Sequence, residues 1–124
     1  MANWTKDELG KIDAEEMLDL SAASPDGSLP KAVDIWAVRA GDKLYVWSYN
    51  GTSGRWYQSA KASRKGRVSS GGATKDVMFE LIEDAATNDA VDEAYRAKYS
   101  SSPYLAPMIN DRARAATVEL VSED

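Results

Sequence analysis

The sequence predicts an α+β domain, an antiparallel sheet or small barrel carrying peripheral helices. Three observations predict it. Short runs rich in β-branched and aromatic residues recur along the chain, joined mostly by turns containing Gly, Pro or Asp, which is the spacing of antiparallel strands. Two segments instead carry apolar residues at helical spacing, one of them behind a capping box. The 124 residues are 44% hydrophobic and 28% charged, with 8 Gly and 4 Pro, the proportions of an ordinary globular chain. At this length folding buries roughly two-thirds of the extended-chain surface, so residues 1–124 form one domain around one core without crosslinks.

The elements follow in order. Thr5-Lys6-Asp7-Glu8 is a Ser/Thr-x-x-Glu capping box ahead of Leu9 and Ile12, which share a helical face. Asp13 to Glu16 can restart a short turn, and Met17 to Ala22 fits either a helix end or a strand. Ser24-Pro25-Asp26-Gly27-Ser28 is a turn, with Pro presetting φ and Asp-Gly supplying left-handed positions. Ala32 to Arg39 and Leu44 to Tyr49 read as two strands of a hairpin around Gly41-Asp42. In the second, Tyr45, Trp47 and Tyr49 share one face and Leu44 and Val46 the other, so both faces are expected to be covered. Asn50 to Gly54 is a loop and Arg55 to Ala62 a short helix. Arg67 to Ser70 is a short strand ended by Gly71-Gly72, and Thr74 to Glu83 a longer one with Val77, Phe79 and Leu81 on one face. Asn88 to Tyr99 is the clearest helix: Val91, Ala94, Tyr95 and Tyr99 form a stripe, and Asp92 and Arg96 pair one turn apart. After Pro103 and Pro107, Ala113 to Val121 is the last strand. Six strands result, enough to close a small barrel, with Trp36 and Phe79 expected inside it.

Composition excludes more than it includes. The chain has no Cys and no His. Disulfides, thiolate nucleophiles and thiolate metal sites are therefore absent, together with the usual general base and the commonest transition-metal ligand; no metal site is expected. The N-terminus is polar and acidic, without the basic start and apolar stretch of a secretory signal, and no apolar run approaches membrane-spanning length. A cytoplasmic protein with no membrane partner is the expectation.

The net charge is -5, from 15 basic and 20 acidic residues, but its distribution is uneven. From Lys43 to Lys75 there are seven basic residues (Lys43, Arg55, Lys61, Arg64, Lys65, Arg67, Lys75) and no acid. That block also holds five of the eleven aromatics: Tyr45, Trp47, Tyr49, Trp56 and Tyr57. A planar phosphorylated ligand would use the cations for its phosphate and an aromatic wall for its ring. Single-stranded nucleic acid would use the same ingredients along a groove, but the overall acid excess repels its backbone, and nucleic acid is not expected. The third reading is structural, with the cations meeting water, acidic parts of the same chain or a second subunit. Gly51 to Arg55 lacks the Gly-Lys-Ser/Thr spacing of a phosphate loop, and no βαβ unit surrounds it. Asp13, Glu15 and Glu16 read as a solvated helix face, Asp89, Asp92 and Glu93 as helix-start charges. Glu80 would earn a chemical role only on a buried face. No catalytic residue emerges, so any enzyme chemistry belongs to a bound cofactor.

Several segments in order along nearly the whole chain resemble the bacterial family catalogued as domain of unknown function 2255 (DUF2255). They include Trp4 to Leu9, Ile35 to Val38, Leu44 to Val46, Gly54-Arg55-Trp56-Tyr57, Asp76 to Glu80, Asp92 to Tyr99 and Arg114 to Leu120. That family in turn resembles the split β-barrel group of flavin- and deazaflavin-binding oxidoreductases. Trp56-Tyr57 matches the group's aromatic pair, and Ser59 and Ala60 replace the Asn-Leu that follows it. The resemblance implies an FMN-binding split-barrel-like fold and a homodimer. It implies FMN or a deazaflavin as cofactor for hydride transfer, the phosphate held by Arg55, Arg64, Lys65 and Arg67. The ring would pack near Trp47 or Trp56, beside Tyr57. The alternative is a non-enzymatic ligand-binding or interaction module that has kept the barrel and lost the cofactor.

Overall fold

A computed structural model describes residues 4–15, 17–24, 26–48, 51–70, 72–100 and 115–122. The expectations placed on Glu16, Pro25, Tyr49, Asn50, Gly71, Pro103, Pro107 and residues 113–114 lie outside the described residues. Thr5 opens α1 (Lys6–Asp13) as a full capping box: its hydroxyl accepts from the Glu8 N–H at 3.1 Å, and Glu8 Oε1 accepts from the Thr5 N–H at 2.9 Å. Met17 to Ala22 resolves as a strand, β1 (Leu18–Ala22). In the turn that follows, Asp26 Oδ1 accepts from the N–H and the hydroxyl of Ser28.

The run from Ala32 to Arg39 is not one strand. It divides at Trp36 into β2 (Val33–Ile35) and β3 (Ala37–Ala40), and β3 turns at Gly41 into β4 (Lys43–Trp47). A 3-10 turn at Gly51–Ser53 leads into α2 (Arg55–Ser63), then come β5 (Lys65–Ser70) and β6 (Ala73–Leu81), paired as a hairpin. α3 (Ala85–Lys98) starts three residues before the predicted Asn88, because Asp84 caps it, accepting from the Thr87 N–H at 2.8 Å. β7 (Thr117–Ser122) ends the described chain.

All seven strands form one antiparallel sheet in the order β2-β1-β5-β6-β7-β4-β3. Its two edges, β2 and β3, are consecutive in sequence with only Trp36 between them. The sheet therefore curls until its ends meet, giving a near-closed barrel with seven strands where six were expected. In a continued ladder Trp36 would oppose Trp47; instead the Tyr95 hydroxyl of α3 stands between them. It accepts from the Trp47 N–H at 2.9 Å and donates to the Trp36 carbonyl at 3.0 Å. The next carbonyl, that of Ala37, accepts from Lys98 Nζ at 2.7 Å and from the Tyr99 hydroxyl at 3.2 Å. Side chains from the last turns of α3 thus satisfy the backbone groups that the bend removes from the ladder.

Strand alternation gives the barrel two apolar layers. Leu18, Leu20, Leu44, Val46, Val68, Val77, Phe79, Val118 and Leu120 fill the interior, joined by Leu9 and Ile12 of α1 and by Tyr57 and Ala60 of α2. The opposite face of β3 and β4 presents Val38, Tyr45 and Trp47 to Val91, Tyr95 and Tyr99 of α3, so both faces of β4 are covered, as the aromatic alternation predicts. Phe79 is buried inside. Trp36 is not inside: it is half-buried on the outer layer, stacked on Tyr99 at 3.9 Å. Among the described residues no helix is long and apolar enough to cross a membrane.

Candidate functional site

The fold divides the seven basic residues of the central block. Three meet carboxylates brought from elsewhere in the sheet or from α1. Lys75 Nζ lies 2.8 Å from Glu8 Oε2, Arg67 Nε 2.8 Å from Asp76 Oδ1, and Lys43 Nζ 3.8 Å from Glu119 Oε1. The hydrogen bond from Lys75, with the Thr5 N–H, holds the Glu8 carboxyl below its ordinary range. The other four, Arg55, Lys61, Arg64 and Lys65, have no carboxylate at ion-pair distance among the described residues.

Three of those four gather where α2 hands over to β5. Lys61 lies in the last turn of α2, Arg64 is its C-cap, and Lys65 begins β5. Arg64 has φ 62° and ψ 12°, the left-handed conformation that a helix C-cap usually gives to glycine. It is pinned there from both sides. Its N–H donates to the Ala60 carbonyl at 2.8 Å, and its own carbonyl accepts from the Phe79 N–H at 2.9 Å. Its Nε donates to the Lys61 carbonyl at 3.2 Å. An arginine in this conformation costs about 1 kcal/mol relative to glycine.

Arg55 is not part of this cluster. It is the first residue of α2, nine positions before Arg64, so the two Cα atoms are separated by roughly 13 Å of helix rise. The two cations therefore stand at opposite ends of α2. Arg67 follows Lys65 on the same outward face of β5 but is engaged with Asp76, directly opposite on β6. Of the four cations assigned to a phosphate, the structure therefore brings Arg64 and Lys65 together, adds Lys61, and leaves Arg55 at the far end of α2.

The aromatic candidates are likewise separated. Trp47 is fully buried beneath α3, stacked on Tyr95 at 4.1 Å, and cannot form the wall of an open site. Its Nε1–H has no hydrogen-bond partner among the described residues. Tyr57 is buried in the barrel core, where burial and the nearby Glu83 push its phenol above the ordinary range while Arg64 opposes them. Trp56, half-buried and edge-on to Tyr57 at 6.3 Å, is the one of the three with substantial exposed surface. Trp47 and Tyr57 are core residues because period-two and helical alternation direct them inward or under α3. That signal was in the sequence but was outweighed there by their place in the basic block.

Glu80 is exposed, and it stands directly opposite Glu119 across β6 and β7. The Glu119 side chain is 14% exposed, and burial raises its carboxyl above the ordinary range against the pull of Lys43. Among the described residues no group of three or more potential metal ligands is placed to hold an ion.

Comparison with known proteins places this geometry. A family described as an uncharacterized protein conserved in bacteria, DUF2255, matches residues 8–120. The chain belongs to that family. No curated protein matches it. Among solved structures it is similar to a conserved hypothetical protein from Mycobacterium tuberculosis, with TM-score 0.71 and 11% identity, covering 98% of this chain and 82% of that one. It is also similar to a FAD-binding protein from Mesorhizobium loti (TM-score 0.63, 17% identity, 99% of this chain and 93% of that one). An F420-H2-dependent reductase gives TM-score 0.65 at 18% identity over 87% of this chain and 95% of that one. At these identities the likeness is one of fold, and the fold is the split β-barrel that the DUF2255 resemblance implied.

Proposed function

We propose that this DUF2255 protein binds a flavin or deazaflavin and belongs functionally with cofactor-dependent reductases, the cofactor phosphate resting on Arg64 and Lys65 with Lys61 beside them. The observation that carries this reading is a cluster of cations with no carboxylate partner among the described residues, one of them held in a left-handed backbone conformation at a stability cost. Backbone strain of this kind clusters at ligand clamps and active sites. The barrel shared with a FAD-binding protein and an F420-H2-dependent reductase supports the choice of ligand class. When bound, such a ring supplies the hydride chemistry; the chain contributes phosphate binding, orientation and exclusion of water. Two copies of the chain and a cytoplasmic location belong to the same reading, and light scattering tests the first. The alternative is a binding module without redox activity, favoured by the burial of Trp47 and Tyr57 in the core.

Arg64→Gly tests the reading directly. The substitution relaxes the left-handed position, so thermal stability should rise by up to about 1 kcal/mol. It also removes a charge-assisted contact worth about 1.5 kcal/mol or more, so the Kd for FMN should weaken roughly tenfold. A more stable protein with unchanged affinity would remove Arg64 from the site. Absence of saturable FMN or deazaflavin binding would select the module that has lost the cofactor.

A further inference from the structure

Residues 26–34 are exposed without interruption, a run that includes the first two residues of β2. β2 is an edge of the sheet: among the described residues its one ladder partner is β1. Three of the four large apolar side chains exposed among the described residues lie at this corner. Val33 in β2 and Leu29 ahead of it are each 43% exposed, and Met17, just before β1, is 39% exposed. The Ser21 hydroxyl of β1 donates to the Pro30 carbonyl, which fixes the approach to β2 against β1. The strand is thus held on one side and open on the other, a template for pairing with a further strand.

The register states what such a strand must carry. Alternation puts Asp34 on the outer face, directly opposite Asp19 of β1, and turns Val33 and Ile35 inward, Ile35 against the core. Neither carboxylate has a basic side chain at ion-pair distance among the described residues. Like charges directly opposite one another are destabilising, and a cation seated across both removes that cost. The same charges disfavour a second copy of the chain at this edge. Antiparallel pairing of two β2 strands about their central residue would set Asp34 against Asp34, with an Asp19 behind each.

We propose that the free edge of β2 accepts, by strand addition, an extended segment of a different protein with the alternation apolar–basic–apolar opposite Val33, Asp34 and Ile35. The Lys or Arg of that segment lies across Asp34 and Asp19 on the outer face, and its apolar neighbours cover Val33 and Ile35.

The probe is the blocked peptide acetyl-Val-Lys-Val-Lys-Val-amide, titrated at low salt into the isotope-labelled full chain, with Glu in place of each Lys in the control. Saturable binding of the Lys peptide is expected, with shifted resonances and slowed amide exchange concentrated in residues 32–36, and no binding of the Glu peptide. Asp34→Asn should weaken binding about tenfold through loss of a charge-assisted contact. That variant relieves the carboxylate pair, so its melting temperature, which should not fall, separates weakened binding from unfolding. A Lys peptide methylated at every backbone nitrogen should not bind, because it has no donors for the edge. Equal binding of the Lys and Glu peptides, unchanged affinity in Asp34→Asn, or unchanged binding of the methylated peptide would each overturn the proposal, as would no saturable binding of the Lys peptide. Exchange at residues 33–35 that slows with protein concentration in the peptide-free chain would overturn it by assigning the edge to a second copy.

Discussion

Tyr95→Phe isolates a single hydroxyl on which the closure of the barrel depends. Tyr95 is fully buried, and its ring is stacked on Trp47 at 4.1 Å and lies 6.4 Å from Trp36. Phenylalanine keeps those ring contacts, so the change removes only the two hydrogen bonds, from the Trp47 N–H at 2.9 Å and to the Trp36 carbonyl at 3.0 Å. Each bond contributes about 1 kcal/mol net, and leaving a buried N–H unpaired adds about 1–3 kcal/mol. The expected loss is roughly 3–5 kcal/mol, or a fall in Tm of about 10–20 °C for a domain of this size. Urea denaturation at neutral pH, followed by Trp fluorescence, measures it. The alkaline limb supplies a second signature. Burial holds the Tyr95 phenol well above its ordinary value. Above about pH 10 the unfolded chain therefore releases a proton that the folded chain retains, and stability falls as pH rises toward the folded value. The Phe variant lacks this contribution, so its stability should fall less steeply there, with Tyr45 and Tyr57 supplying the remainder. A loss below about 0.5 kcal/mol would mean that the strand break at Trp36 does not depend on this hydroxyl.

Two further substitutions probe packing and charge. In Gly66→Ala the new Cβ would fall 2.6 Å from Phe79 Cζ and closer still to the Ser21 carbonyl oxygen. Because one obstacle is backbone, the cost should be about 1–3 kcal/mol or more by equilibrium unfolding; a neutral result would show that β1 and β5 can separate at little cost. Asp34→Asn should raise Tm at neutral pH. A hydrogen bond to the Asp34 carboxylate directly opposite, together with repulsion from its charge, raises the Asp19 carboxyl above its ordinary range, so the folded state is penalised once Asp19 ionises. The gain should shrink as pH falls through the folded-state pKa of Asp19 and diminish with added salt; a gain equally large in acid would exclude carboxylate repulsion as its cause.

Most elements were legible because their signals are local. The Thr5–Glu8 box and the alternation of Val77, Phe79 and Leu81 depend on residues within a few positions of one another, and each reappears in the structure. The division at Trp36 was not legible. Ala32 to Arg39 carries continuous strand-forming residues, and what breaks the run is a hydroxyl 59 residues away. Gly66 is a similar case: a glycine inside a strand reads as a weakness, and β5 was expected to start after it. In the barrel that glycine admits the Phe79 ring and a close approach of β1, so the strand begins before it.

The same distinction separates the parts of the candidate site. An uninterrupted run of cations in the sequence suggested an anion, but charge in sequence is not charge in space. Glu8, Asp76 and Glu119 come from α1, β6 and β7 to meet Lys75, Arg67 and Lys43, and only the fold decides which cations are answered. What remains at the α2–β5 junction is smaller than the block but more informative. Lys61, Arg64 and Lys65 lack described acidic partners, and Arg64 occupies a backbone conformation that its own side chain makes costly. Arginine has a structural role at that position, since its Nε caps α2 by donating to the Lys61 carbonyl at 3.2 Å. Glycine would cap α2 with less strain, and lysines elsewhere on the helix would supply the same charge to water. The capping bond and the proposed anion site are separated by Arg64→Gly, which removes both but costs ligand affinity only if an anion is held there.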